Sequence, residues 1–349
     1  PRRDRGRTQA NREDGVGRRT MAALLAAIVA ALLVATGCGS DRDALTLYSG
    51  RTENLIGPLL ERFSEETGIP IDVRYGDTAD LALLIDEEGD RTPADVYWSQ
   101  SPGATAYLAE RGRLAPLPRT LLDLVDPRFE DPDGRWVGVS GRQRVLVYNR
   151  DLVEPGELPA TVDELTGPRY RGRVALAPTN GSFQDFVTAM RQIEGEEAAA
   201  AWLRGMAANG ARTYANNNAI VEAVSRGEVP MGLVNHYYNH RFLAEDPGLP
   251  SRNHRFAAGD VGGLVIPSAM SIIEGTDKRE EAERLIAFML SQEAQRYFAR
   301  ETFEYPLARG VEASRGVPPL TTLRPPEERP GALSDIEGTA RLIAESGLN

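Results

Sequence analysis

Two stretches of this chain repeat one order of short β runs and amphipathic helices, and a long β-like run lies between them. The first stretch reads as a strand at Leu45 to Tyr48, then a helical stripe of Leu55, Ile56, Leu59, Leu60 and Phe63 that stops at Thr67-Gly68. A strand at Ile71 to Tyr75, a helix at Ala79 to Ile85 and a strand at Asp95 to Trp98 complete it. Asn54 is read as the cap of the first helix, which puts Pro58 in the first turn, where a backbone N–H has no partner to lose.

The second stretch has a strand at Val174 to Ala177, a helix through Phe183, Phe186, Val187 and Met190, and a helix around Trp202, Leu203 and Met206. An extended Thr213-Tyr214, a helix through Ile220, Val221 and Val224 and a strand at Met231 to Val234 follow. Each stretch is the βαβαβ unit of a mostly parallel sheet flanked by helices, so the chain is predicted to be α/β with two similar lobes. Trp136 to Asn149 and Val261 to Ile266 supply two β crossings between them, and helices at Arg279 to Leu290 and Ser291 to Ala299 return to the first lobe. A Pro-rich connector from Val317 to Pro330 leads to a closing helix near Ser334 to Ser346.

Ahead of these elements, Arg18 and Arg19 precede an apolar run from Met21 to Ala35, too short to span a bilayer comfortably, and then Thr36-Gly37-Cys38. The pattern predicts a leader and signal peptide over 1–37 and lipidation of Cys38, which would anchor the protein outside the cytoplasm. The Arg-rich stretch from Pro1 is set aside from the fold. Cys38 is the single Cys, which excludes an internal disulfide and a Cys-ligated metal site. Residues 1–37 carry seven Arg against three acids, so the remainder is more acidic than the net −11 of the whole chain, and nucleic acid is excluded as a partner.

In open parallel sheets ligands gather beyond the carboxyl ends of the strands. The loops there are polar: Ser49-Gly50-Arg51-Thr52, Ser99-Gln100-Ser101, Thr179-Asn180-Gly181-Ser182, Asn216-Asn217-Asn218 and Asn235-His236-Tyr237-Tyr238. Asn180-Gly181-Ser182 at a helix start suits a small oxyanion, although the same residues also serve as ordinary caps. Tyr237 and Tyr238 offer two phenolates to a hard cation such as Fe³⁺, provided that the metal draws their pKa below the usual value of about 10. Neighbours in a strand face opposite ways, so both rings reach one metal only from a bent loop past the strand end.

His236 and His240 have a spacing that could hold zinc on a helix, but the acid of the H-E-x-x-H pattern is absent. No P-loop, G-x-S-x-G elbow or dinucleotide G-x-G-x-x-G occurs, so no catalytic machinery is visible. Arg142, beside the crossing, either serves the cleft electrostatically or pairs with a surface acid.

The residues Leu47-Tyr48-Ser49-Gly50-Arg51, Glu87 to Val96, Ser140 to Val145, Gly227-Glu228-Val229-Pro230, Asn235-His236-Tyr237-Tyr238 and Glu304-Tyr305-Pro306-Leu307 together resemble the bacterial periplasmic ferric-binding proteins, the substrate-binding components of iron ABC importers. The resemblance implies a two-lobed periplasmic binding protein fold of type II. It implies Tyr237 and Tyr238 as iron ligands, and Asn180, Gly181, Ser182, Asn217 and Asn235 as holders of a synergistic anion, phosphate or carbonate. The family's usual first-lobe His and Glu match Thr52 and Gln100 here, both neutral. A third tyrosine used by one variant of the family matches Phe183.

The expectation is therefore a monomeric, non-enzymatic lipoprotein that captures ferric iron and passes it to an ABC importer permease. Lobe 1 is placed at 44–141 plus about 265–318, and lobe 2 at 142–264 plus about 319–349. The alternative keeps the fold and carries a small organic cargo such as thiamine or a polyamine. A zinc-dependent hydrolase built on His236 and His240 is the third reading.

Overall fold

The structure, a computed structural model, describes residues 44–327 and 334–348. The predicted leader, Cys38 and part of the Pro-rich connector lie outside the described residues.

The first half runs β1 (Leu45–Ser49), α1 (Glu53–Thr67), β2 (Ile71–Tyr75), α2 (Thr78–Glu88), β3 (Val96–Ser99), α3 (Pro102–Glu110), β4 (Leu114–Ala115) and a single turn α4 (Arg119–Leu122). β5 (Val137–Asn149) follows. Then come β6 (Val174–Leu176), α5 (Gly181–Ile193), α6 (Glu196–Ala208), β7 (Arg212–Thr213), α7 (Asn217–Ser225), β8 (Met231–Asn235), α8 (His236–Glu245) and β9 (Ser251–His254). The chain closes with β10 (Val265–Ile273), α9 (Arg279–Met289), α10 (Gln292–Tyr297), β11 (Tyr305–Pro306) and α11 (Ile336–Glu345).

The strands form one path, β2-β1-β3-β10-β5-β8-β6-β7. β1 pairs in parallel with β2 and β3, and β6 in parallel with β7 and β8, as βαβ connections require. β5 ties the two groups together: its first half runs antiparallel to β10 and its second half antiparallel to β8 and β9. Both faces of each half-sheet are covered by helices. In the first, Leu45, Leu47, Val96, Trp98, Met270 and Ile272 pack on α1 and α9, while Tyr48 and Tyr97 pack on α2 and α3. In the second, Leu146 faces Phe183, Phe186, Met190 and Trp202, whereas its neighbours Val145 and Val147 face Ile220, Val221 and Val224, the period of two that a strand imposes.

Gly68 ends α1 because the αL conformation (φ 72°) suits a residue without Cβ, and its N–H bonds the Ser64 carbonyl. The return of α9 and α10 to the first half follows from Ala282, Leu285, Ile286, Met289 and Ala294, all in that core. The closing helix α11 docks on α5 through Thr188 and Thr339 at 2.7 Å and an Arg191–Asp335 ion pair at 2.7 Å.

Two local expectations are corrected. α1 begins at Glu53 with Thr52 as its cap, and Pro58 falls in the helix interior. The N–H groups of Leu55 and Ile56 both return to the Thr52 carbonyl, while Asn54 accepts from the Thr52 hydroxyl at 2.6 Å instead of capping. The β character read from Val261 begins only at Val265: Val261–Gly263 is a 3₁₀ turn capped by Asp260, whose carboxylate accepts from the Gly262 N–H at 2.8 Å.

Candidate functional site

Tyr237 and Tyr238 sit where β8 turns directly into α8. The bent loop expected for them is instead the first turn of a helix, with Asn235 at the position before it and no side-chain cap. Helical geometry solves the facing problem differently: the two rings stack with centroids 4.1 Å apart at 28°, so they lie side by side. Tyr237 is fully buried, its hydroxyl has no partner, and burial followed by the neighbouring Tyr238 pushes its pKa well above the usual phenol value. A phenol held dry beside a second phenol is a costly arrangement unless something that binds oxygen arrives.

The expected anion holders converge on the same strand ends. Asn180 caps α5, accepting from the Ser182 N–H at 3.2 Å and the Ser182 hydroxyl at 2.6 Å. The Asn217 amide donates to Asn180 at 3.1 Å and to Ser182 at 3.3 Å, which fixes α7 against α5. A Cβ added at Gly181 would meet nothing within 4 Å, so the backbone there faces open space. Asn235 lies opposite Arg144 in the β5–β8 pair and accepts from its guanidinium at 3.2 Å, leaving its own buried amide nitrogen without a partner.

The first-half candidates behave differently. Thr52 is exposed and bonded to Asn54, whereas the Gln100 side-chain oxygen accepts from Arg142 at 3.2 Å. Phe183, where a third tyrosine would stand, is buried between Phe186 and Trp202.

Five charged residues belong to this region, and of these the sequence reading weighed Arg142 alone as a group serving the cleft. Arg51 and Glu304 form an ion pair at 2.6 Å with neither side chain exposed, and the Arg51 charge works against the burial that raises the Tyr237 pKa. Arg142 and Arg144 project from alternate positions of β5 and are buried. Neither makes a salt bridge among the described residues: Arg142 bonds Gln100 and the Ile266 carbonyl, and Arg144 bonds Asn235. Burial, the largest influence, lowers both guanidinium pKa values, that of Arg144 to about 9. Asp185, buried in α5, is raised to about 6 by burial, against the pull of Arg142, a Ser101 hydrogen bond and Arg144. Arg142 and Arg144 at i and i+2 of a β run share one face, and that spacing is the sequence signal that marks them.

His236 and His240 are not arranged as a metal pair. The Nδ1 atom of His236 accepts from the Gln143 N–H at 3.1 Å, its ring stacks on Tyr305 at 4.6 Å, and burial followed by His240 drives its pKa down to about 3. Among the described residues no group of three or more His, Cys, Asp or Glu could hold a metal.

Residues 91–326 match the family model for bacterial extracellular solute-binding proteins. The major ferric iron-binding protein of Neisseria meningitidis is 31% identical over 327 residues, covering 93% of this chain and 98% of that relative. Iron-bound HitA from Pseudomonas aeruginosa superposes with a TM-score of 0.83 at 35% identity, over 87% of this chain and 99% of that structure. The Trichodesmium protein IdiA (FutA), solved with iron and citrate, superposes at 0.76 with 26% identity, over 88% and 100%. The fold is thus the two-lobed type II fold, and the chain belongs to the bacterial extracellular solute-binding proteins, alongside the ferric iron-binding proteins that it matches over nearly its whole length.

Proposed function

We propose that this protein captures ferric iron with an oxyanion in the cleft between its lobes and delivers it to an ABC importer permease. The observation that carries this reading is the buried, unpartnered hydroxyl of Tyr237 stacked on Tyr238 at the end of β8, beside the anion cradle of Asn180, Gly181, Ser182, Asn217 and Asn235. Hard anionic oxygen is what Fe³⁺ prefers, and a bound cation lowers phenol pKa enough to make both rings phenolates. The ferric iron named for the Neisseria and Pseudomonas proteins supports the same cargo. Phosphate or carbonate suits the cradle, a helix N-terminus with an open glycine.

Lobe 1 comprises 44–141 and about 265–318, lobe 2 comprises 142–264 and about 319–349, and closure rotates them about β5 and β10. Lipidation at Cys38 holds the monomer to the outer face of the cell membrane. The role is transport, with no catalytic step. An organic cation such as thiamine or a polyamine fits poorly beside three buried guanidinium groups that lack anions to spare.

The test is a visible absorption titration of the full-length protein with ferric iron in phosphate or carbonate, beside a Tyr237→Phe/Tyr238→Phe variant. A saturable phenolate-to-iron charge-transfer band that the variant lacks is expected. No band under either anion sinks the ferric reading.

A further inference from the structure

Behind the hinge lies a cavity of about 470 Å³, lined in part by Gln143, Asn253, Arg255, Phe256, Leu323 and Arg324. Gln143 stands between Arg142 and Arg144 on β5, and neighbours in a strand face opposite ways. The cavity therefore opens on the other side of the sheet from the tyrosine pair, on which Arg142 and Arg144 act. Its walls come from both halves of the molecule. Leu323 packs in the first hydrophobic core and Phe256 in the second, and the Gly259 N–H donates to the Arg324 carbonyl at 2.9 Å where the two meet.

Two guanidinium groups line this cavity without an acid. Neither Arg255 nor Arg324 forms a salt bridge among the described residues, and the Arg255 side chain makes no hydrogen bond there. Arg324 is held in place through Nη1, which donates to the Thr321 and Leu323 carbonyls, both at 2.9 Å, and this leaves Nε and Nη2 for a ligand. The nearby Asp260 carboxylate is committed to the N–H groups of Gly262 and Val162. Asn253 has the opposite need. Its amide nitrogen is spent on the His236 carbonyl at 2.9 Å, and its Oδ1 atom is buried without a donor. A buried acceptor in that state costs stability until a donor reaches it.

These demands define a ligand. Guanidinium forks match the oxygens of a phosphate, and a dianionic phosphate offers enough of them for two forks. The Asn253 acceptor calls for a hydroxyl, and the volume is that of a site for a small organic molecule. We propose that the cavity behind the hinge is a second binding site, separate from the cleft, for a small hydroxylated phosphate monoester held by Arg255 and Arg324. The ester binds intact, with no covalent step, and the proposal stands apart from the ferric reading.

The probe is glycerol 3-phosphate, titrated by calorimetry into the iron-free full-length protein at about pH 8, where its phosphate is dianionic. It should bind at least about tenfold more tightly than inorganic phosphate, and Arg255→Gln/Arg324→Gln should weaken it at least about tenfold. Arg142→Gln/Arg144→Gln, altered on the cleft side, should leave its affinity within about twofold. No binding, or binding no tighter than that of inorganic phosphate, overturns the proposal. So does binding that survives Arg255→Gln/Arg324→Gln and is lost in Arg142→Gln/Arg144→Gln, since that puts the ester in the cleft.

Discussion

Arg51 and Glu304 meet at 2.6 Å although 253 residues separate them, and both side chains are wholly buried. The pair joins the loop after β1 to the residue before β11, and Thr302 adds a hydroxyl bond to Glu304 at 3.1 Å. It is also the bond between the first strand end and the segment that follows Phe303, whose φ of 59° is the one left-handed non-glycine conformation among the described residues.

Removing one partner strands the other as a buried charge. Arg51→Met or Glu304→Gln should each lower stability by about 3–5 kcal/mol in urea unfolding, whereas the double Arg51→Met/Glu304→Leu recovers much of that loss. Single variants within about 1 kcal/mol of the unaltered protein would show that the pair contributes nothing that water cannot replace.

Gln295 is a buried amide with four backbone partners. Its nitrogen donates to Val139 at 2.9 Å and Met289 at 2.8 Å, and its oxygen accepts from Leu307 at 2.8 Å and Ala308 at 3.0 Å. Gln295→Leu leaves all four unsatisfied and should cost at least about 3 kcal/mol, read as a lower urea midpoint with unchanged slope.

Gly232 lets β8 and α7 approach closely, since an added Cβ would run into the Ile220 methyl and lie 3.0 Å from the Ala175 Cβ. Gly232→Ala should lose about 1–3 kcal/mol, and because Ile220→Ala removes the obstructing Cγ2 methyl, the double variant Gly232→Ala/Ile220→Ala should lose less than the sum of the two singles. Gly181→Ala, with open space around its Cβ, should leave stability within about 0.5 kcal/mol.

Asp185 gives a pH dependence of definite sign. Its folded pKa of about 6 lies above the ordinary 3.8, so between these values the folded state holds more protons than the unfolded one. Stability from this group is therefore present at the acid end and falls as pH rises through that window, by up to about 3 kcal/mol. Asp185→Asn does not titrate, so its stability relative to the unaltered protein should improve from pH 4 to pH 7; a difference that stays flat refutes the buried acid.

Much of the architecture was legible before any coordinates. Leu55, Ile56, Leu59, Leu60 and Phe63 mark α1, and Asn180 and Ser182 mark the capped start of α5, because periodicity and turn chemistry are local properties. The 3₁₀ turn at Val261–Gly263 was not, since Val and Gly there suit a strand until Asp260 is seen to cap the turn and bind Val162 across 98 residues.

The sequence alone determined the two-lobed α/β fold and the family, and it singled out Tyr237 and Tyr238 as candidate ligands, all from residue type and spacing along the chain. Only the tertiary structure decided that Tyr237 and Tyr238 stack in a helical turn, that Arg51 finds Glu304, and that Arg142 and Arg144 make no salt bridge among the described residues. Burial and charge pairing depend on which distant segments meet. Lone arginines in β5 look alike in sequence whether they face water, a carboxylate or a ligand site.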